Sequence, residues 1–149
     1  MLMKTIWDAA CRHELLTRFE KLTPDGRPAW GEMNAAQMLA HLADPLKVAM
    51  GSKKVAPKPG ALSNPIVRTL IIYYLPWPKG APTAPEFIHA HEEHFGDNLT
   101  AFRATLEEFV RSGESADHKP HPAFGQLSGR AWGRLLYRHL DHHLRQFGI

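Results

Sequence analysis

Apolar residues recur every three or four positions in four segments of this chain, and loops rich in proline and glycine separate those segments. In the last segment Leu136, Leu140 and Leu144 follow one another at intervals of four residues. No clear run of alternating apolar and polar residues competes with this spacing. The sequence therefore predicts an all-α fold, and four amphipathic helices of this length predict a four-helix bundle.

The four segments begin and end at residues typical of helix termini. Asp8, Asn34 and Ser128 are good N-caps, while Gly51 and Gly148 stand where a helix would stop. We expect helices over residues Asp8 to Leu22, from after Asn34 to Met50, from Phe95 to no further than Gly113, and from after Ser128 to Phe147.

A long connection joins the second and third predicted helices. Its middle part, Pro65 to Leu75, suits either a short helix with proline in its first turn or a β-branched strand, and we favour the helix. The residues on both sides are rich in proline, glycine and lysine, which indicates loops. The predicted bundle thus has a long loop and a short extra helix between helices 2 and 3.

Length and composition narrow the class of protein. A chain of 149 residues, 44% hydrophobic, suits one domain over residues 1–149. The lone Cys11 forms no intrachain disulfide, and the amino terminus lacks an apolar signal core, so we expect a cytoplasmic protein. The net charge of +3 does not indicate nucleic-acid binding, and the apolar run from Ile66 to Leu75 is too short to span a membrane.

The most unusual count is that of histidine, with 10 in the chain. His139 and His143 are four residues apart on one edge of the apolar stripe of the last helix, about 6 Å from each other along its axis. Imidazoles at that spacing can converge on one transition-metal ion, which would satisfy both rings inside an apolar stripe. His142 falls on the flank of the same helix.

A third ligand has to come from another helix, and His41 is the natural candidate. Pro45 removes the amide that would bond the carbonyl of His41, so we expect the helix to kink one turn after His41. Such a kink is compatible with an imidazole that points inward and equally with ordinary packing. Gln37 and Asp44, one turn to either side, are candidates to hydrogen-bond an imidazole and fix its tautomer, or are simply surface polar residues.

We interpret the other histidines, and the cysteine, without a metal. His89, His91 and His94, with Glu92 and Glu93, form a solvated helix start, and His118 and His121 are loop residues with no more than a surface role. His13 is a surface residue or a satisfied residue at the boundary of the core, and Cys11 is a small packing residue. Of these, His121 is the one that would be able to reach the mouth of a site. The pattern assigns no catalytic residue.

Three stretches together resemble one family of proteins. They are Trp30 to His41, His121-Pro122-Ala123-Phe124-Gly125, and His139-Leu140-Asp141-His142-His143-Leu144-Arg145-Gln146. With the loop from Lys79 to Pro85, they are similar to the DinB/YfiT-like family of metal-dependent enzymes, and more closely to a branch known only as a domain of unknown function.

The resemblance implies a four-helix bundle, often dimeric, in which one histidine of the second helix and a His-x-x-x-His pair of the last helix bind a divalent ion, commonly nickel or zinc. Matched residue by residue, these are His41, His139 and His143, with His142 a non-ligand. Characterised members of the family include transferases and isomerases that use low-molecular-weight thiols. The implied partners are a small-molecule substrate, with such a thiol among the candidates, and a second copy of the chain.

The leading hypothesis is therefore a metal-dependent enzyme with a three-histidine site, either a thiol S-transferase or a hydrolase. The alternative is a non-catalytic metal-binding or stress-response interaction protein, in which residues Ile66 to Leu75 and Trp77 form a dimer or partner surface. A third interpretation, a structural bundle with adventitious histidines, predicts that no metal binds.

Overall fold

The computed structural model of the chain describes residues 2–81, 83, 85–89 and 94–149, and every regular element among them is helical. The five α-helices are α1 (Ala9–Phe19), α2 (Ala35–Met50), α3 (Pro65–Tyr73), α4 (Phe95–Ser112) and α5 (Gly129–Gln146). Two short 3₁₀ turns, Ala61–Ser63 and Pro85–Phe87, lie in the connection between α2 and α4. The predicted all-α class is confirmed.

The predicted caps start three of the helices. Asp8 accepts a hydrogen bond from the amide of Cys11, and Ser128 accepts one from the amide of Ala131. Asn34 and Gln37 form a capping box at the start of α2, which stabilises the amino-terminal end of this helix. The same helix carries His41.

The first helix is shorter than predicted, because it ends at Phe19 and not at Leu22. The amides of Lys21 and Leu22 bond the carbonyls three residues earlier, so the chain tightens into a turn there. Leu22 is still buried. Because Leu22 is buried and lies at helical spacing from the apolar residues of α1, the apolar pattern continued past the end of the helix.

The ambiguous segment at residues 65–75 is a helix, as we favoured. Asn64 accepts hydrogen bonds from the amides of Ile66 and Val67, and Pro65 occupies the first turn, where its missing amide costs nothing. The N-cap and the proline thus account for the choice of helix over strand, which apolar periodicity alone did not decide.

The core forms where α2 packs against α4 and where α5 packs against α1, α2 and α3. Its largest fully buried side chains include Trp132, Phe19, Phe102 and Phe109. Twelve of the residues in α2 are buried, so polar side chains on this helix are drawn into the interior. None of the helices in the described part of the chain is both long and apolar enough to cross a bilayer.

The residues before α1 lie against the first turns of α5. The amide of Ile6 donates to the carbonyl of Gly133 at 3.0 Å, and the indole N–H of Trp7 donates to the carbonyl of Gly129 at 2.8 Å. A Cβ on Gly133 would lie 2.2 Å from Nε1 of Trp7, so this close approach requires glycine. It anchors the amino-terminal end of α5 against the chain start.

Candidate metal centre

Three imidazoles converge between α2 and α5. Nε2 of His41 lies 2.9 Å from Nε2 of His139 and 3.1 Å from Nε2 of His143. His41 and His143 are buried, while His139 keeps some exposure. The three residues that the sequence singled out are therefore brought together as a group that can hold a metal ion.

Hydrogen bonds on the far side of two rings fix which nitrogen carries the proton. Nδ1 of His41 lies 3.2 Å from the carbonyl oxygen of Phe87, and Nδ1 of His143 lies 2.7 Å from Oε1 of Gln146. Both partners are acceptors, so each Nδ1 carries the hydrogen. In the neutral rings, Nε2 of His41 and of His143 therefore presents a lone pair.

The amide of Gln146 is itself oriented by a backbone group. Its Nε2 donates to the carbonyl of Trp30 at 2.7 Å, which leaves Oε1 to face His143. Gln146 is buried and lies in the last turn of α5, three residues after His143. We did not single out this residue from the sequence, although its spacing from His143 on one helix face is a signal that would have found it.

Burial keeps the site's histidines neutral. Desolvation lowers the pKa of His41, lowers that of His139 well below the usual value, and lowers that of His143 to about 3, with the neighbouring rings adding to the last two shifts. Neutral imidazoles are the form that ligates metals, so the site offers its lone pairs at physiological pH.

Gln37 and Asp44 form hydrogen bonds to the segment that follows the second 3₁₀ turn. Gln37 donates to the carbonyl of His89 at 2.7 Å. Asp44, buried to 2% exposure, accepts from Lys53 and from Nε2 of His89. The oxygens that accept hydrogen bonds from the rings of His41 and His143 belong instead to Phe87 and Gln146, whereas Gln37 and Asp44 bond His89, two residues after Phe87.

Lys53 completes this attachment. Its ammonium lies 2.8 Å from both the carboxylate of Asp44 and the carbonyl of Glu86. A buried carboxylate is thereby paired on two sides, and the backbone at residues 86–89 is tied to α2 on either side of Phe87.

The remaining histidines divide differently from the prediction. His118 was predicted as a loop residue with no more than a surface role, but it is buried and packs against both Trp7 and Phe109, so its surface assignment was wrong. His121 is half-buried: its Nδ1 accepts from the amides of Ala123 and Phe124. Burial lowers the pKa of His121 to about 4. The loop composition gave no sign of this packing.

The predicted cluster of histidines lies at the start of the third predicted helix, which is α4. Three of its residues, His91, Glu92 and Glu93, lie outside the described residues. His94 is exposed at the start of α4, as expected of a solvated helix start. His89 is not part of that solvated surface, because it bonds Asp44. His13 is exposed, and His142 is half-buried on the flank of α5.

Comparison with known families matches nearly the whole chain to one family model. This model, described as "Protein of unknown function (DUF1569)", matches residues 10–148. No curated protein and no solved structure matches the chain.

Proposed function

Since the chain belongs to the family described as protein of unknown function (DUF1569), we propose its function from the site itself: a divalent-metal-dependent enzyme in which His41, His139 and His143 hold the ion. Nickel and zinc are the ions we propose first, in line with the resemblance to DinB/YfiT-like enzymes. The proposed reaction is transfer to a low-molecular-weight thiol or hydrolysis.

One observation carries the proposal. Nε2 of His41 and Nε2 of His143 are 3.1 Å apart, and both rings carry their hydrogen on the opposite nitrogen. Two lone pairs therefore face each other in a buried setting, where water cannot separate them. A single proton on His139 can bridge only one of the two, whereas a cation satisfies all three nitrogens.

Three imidazole ligands leave coordination positions open, which is the arrangement of a catalytic site and not of a closed structural one. A divalent ion held there would supply a lowered pKa for a bound water or stabilisation of a thiolate. The chain's own contribution is to keep the three rings neutral by burial and to fix two of them through Phe87 and Gln146. Cys11 lies on α1 and is not part of this group, so the thiol of a transfer reaction would come with the substrate.

The metal is tested by elemental analysis of tag-free protein with His41→Ala, His143→Ala and a matched His13→Ala control, whose histidine is exposed on α1. We expect about one divalent ion per chain in the wild type and in the control, and none in the two site variants. Equal, substoichiometric metal in all four proteins would overturn the three-histidine site.

Catalysis is tested separately, by turnover of a panel of electrophiles and esters with and without low-molecular-weight thiols. We expect metal-dependent turnover that His143→Ala abolishes.

The alternative function, a non-catalytic metal-binding or interaction protein, is favoured by one observation. The outer face of α3 is apolar yet open to solvent, with Ile66 at 73% exposure and Tyr74 at 69%. Full metal occupancy with no turnover across the panel would favour this function, and a concentration-dependent dimer lost in Ile66→Lys would point to a second copy as the partner.

A further inference from the structure

Two tryptophans from separate loops contact the ring of His142, next to the three-histidine group. The ring centroid of Trp30, from the loop before α2, lies 5.7 Å from that of His142, and the centroid of Trp77, from the loop after α3, lies 5.9 Å from the same ring. Trp77 also lies 6.3 Å from His139. The indoles thus border one stretch of surface that adjoins the proposed ligands.

The two tryptophans are held in different ways. The indole N–H of Trp77 donates to the carbonyl of Ile71 at 2.9 Å, which fixes the ring itself. For Trp30 the hydrogen bond is to its backbone, because its carbonyl accepts from Gln146, whose other amide atom fixes His143. Trp30 and Trp77 are each only half-buried, so they supply a partly exposed apolar surface, and the fixed Trp77 ring contributes to it at low entropic cost.

This aromatic surface has a positive rim. Nζ of Lys79 lies 4.7 Å from the ring centroid of Trp30, and no acidic side chain in the described part of the chain pairs with it. Arg138 lies over Trp77 at 5.1 Å, but its guanidinium already donates to backbone carbonyls at the end of α3. Lys79 is therefore the cation that retains capacity to bind an anion.

We propose that the surface formed by Trp30, Trp77 and His142 binds the flat, apolar part of a small organic anion, and that Lys79 pairs with its anionic group. The inference rests on the proposed function in one respect, because it places the reactive part of that molecule at the three-histidine centre. A series of contacts connects Lys79 to the ring of His143: Nζ of Lys79 lies 4.7 Å from the ring centroid of Trp30, Trp30 lies 5.7 Å from His142, and His142 lies 5.2 Å from His143. The substrate class is thus an aromatic or heteroaromatic anion long enough to reach from the rim to the centre.

The test is calorimetric titration of zinc-loaded protein with three probes: 2-naphthoate, its neutral counterpart 2-naphthylmethanol, and cyclohexanecarboxylate, which lacks the flat ring. We expect 2-naphthoate to bind about threefold to tenfold more tightly than either other probe. Lys79→Gln should remove the preference for the anion, and Trp77→Leu should weaken both naphthyl probes by about threefold to tenfold.

Matched controls are Lys54→Gln, an exposed lysine of the loop after α2, and Tyr74→Leu, an exposed aromatic on α3. Both should leave the three affinities unchanged. Equal affinities for the three probes in the wild type, or an equal effect of Lys79→Gln and Lys54→Gln, would overturn the inference.

Metal content measured on the same samples separates this inference from the proposed function. Protein that holds no metal yet binds 2-naphthoate in the Lys79-dependent way would remove the metal function and retain this surface. Full metal occupancy without any preference among the probes would retain the metal function and remove the binding surface proposed here.

Discussion

Nδ1 of His143 donates a hydrogen bond to Oε1 of Gln146 at 2.7 Å, within the last turn of the same helix. The other end of the amide is fixed by the carbonyl of Trp30, so Gln146 cannot rotate to present its NH₂ group without losing that bond. The backbone of the loop before α2 thereby sets the tautomer of His143, a proposed metal ligand on α5.

We therefore predict that Gln146→Ala weakens metal binding by about 10-fold to 100-fold, because the His143 ring loses the acceptor that orients it. Gln146→Glu keeps an acceptor at Nδ1 but loses the donor to the Trp30 carbonyl, so it should recover part of the affinity. The measurement is competition for zinc with a chromophoric chelator.

The control for this pair is Gln126→Ala, because Gln126 is exposed and its amide bonds the carbonyl of His118, away from the three-histidine group. Its metal affinity should match that of the wild type. If Gln146→Ala and Gln126→Ala bind zinc equally well, Gln146 does not position His143.

Asp44 should matter for stability and, more weakly, for metal binding. Asp44→Asn removes the charge that pairs Lys53 and His89, so we expect the free energy of unfolding of the metal-free protein to fall by about 1–3 kcal/mol. Zinc affinity should fall by less than in Gln146→Ala, since Asp44 bonds Lys53 and His89 and reaches His41 through its charge and through the bonds that hold residues 86–89. Urea unfolding and chelator competition measure the two effects.

Asp117→Asn is the matched control, because the side chain of Asp117 is 94% exposed and its contact with Lys119 is a surface pair. It should change the free energy of unfolding by no more than about 0.5 kcal/mol. A loss of the same size in both variants would mean that the buried Asp44 pairs contribute nothing specific.

The sequence was enough to predict the His139 and His143 pair because helical periodicity fixes where side chains on one helix point, and these two residues share a face of α5. His41 was predictable only as a candidate, since periodicity does not reveal which helices pack together. The partner of the His41 ring could not be predicted for a different reason: the Phe87 carbonyl is a backbone group in the connection between α2 and α4, and backbone atoms leave no residue-specific signal. The burial of His118 could not be predicted either, since it depends on the tertiary packing of the loop against Trp7 and Phe109.

The metal-free protein should lose stability as the pH falls from 7.5 to 5. Burial holds the pKa of His121 at about 4 in the folded state, against about 6.5 in the unfolded state. Between those values the unfolded chain takes up a proton that the folded chain does not, so unfolding is favoured as the pH falls. The free energy of unfolding should fall by up to about 1.4 kcal/mol per pH unit for each such histidine, and His41, His139 and His143 add in the same direction.

His121→Asn isolates one contribution, because the asparagine carbonyl can still accept the amides of Ala123 and Phe124 but does not titrate. Chemical unfolding at several pH values should show a slope smaller than that of the wild type by about one proton. If the free energy of unfolding of the two proteins depends equally on pH, His121 does not stay neutral in the folded state.

The packing of the chain start on α5 makes a prediction with opposite signs at two glycines. A Cβ at Gly133 would lie 2.2 Å from Nε1 of Trp7 and 2.6 Å from Oγ1 of Thr5, and the indole is held there by its bond to Gly129. Gly133→Ala must therefore push the anchored indole away, which should cost about 1–3 kcal/mol of unfolding free energy. Gly96 lies in the first turn of α4, and apart from its chain neighbours and the backbone of its own helix no atom of the described residues lies within 4 Å of where its Cβ would be. Gly96→Ala should accordingly leave stability unchanged or raise it by up to about 1 kcal/mol, because alanine loses less backbone entropy in a helix. Thermal and urea unfolding of the two variants measure the contrast, and a Gly133→Ala protein as stable as the wild type would mean that the amino-terminal segment does not rest on α5 in solution.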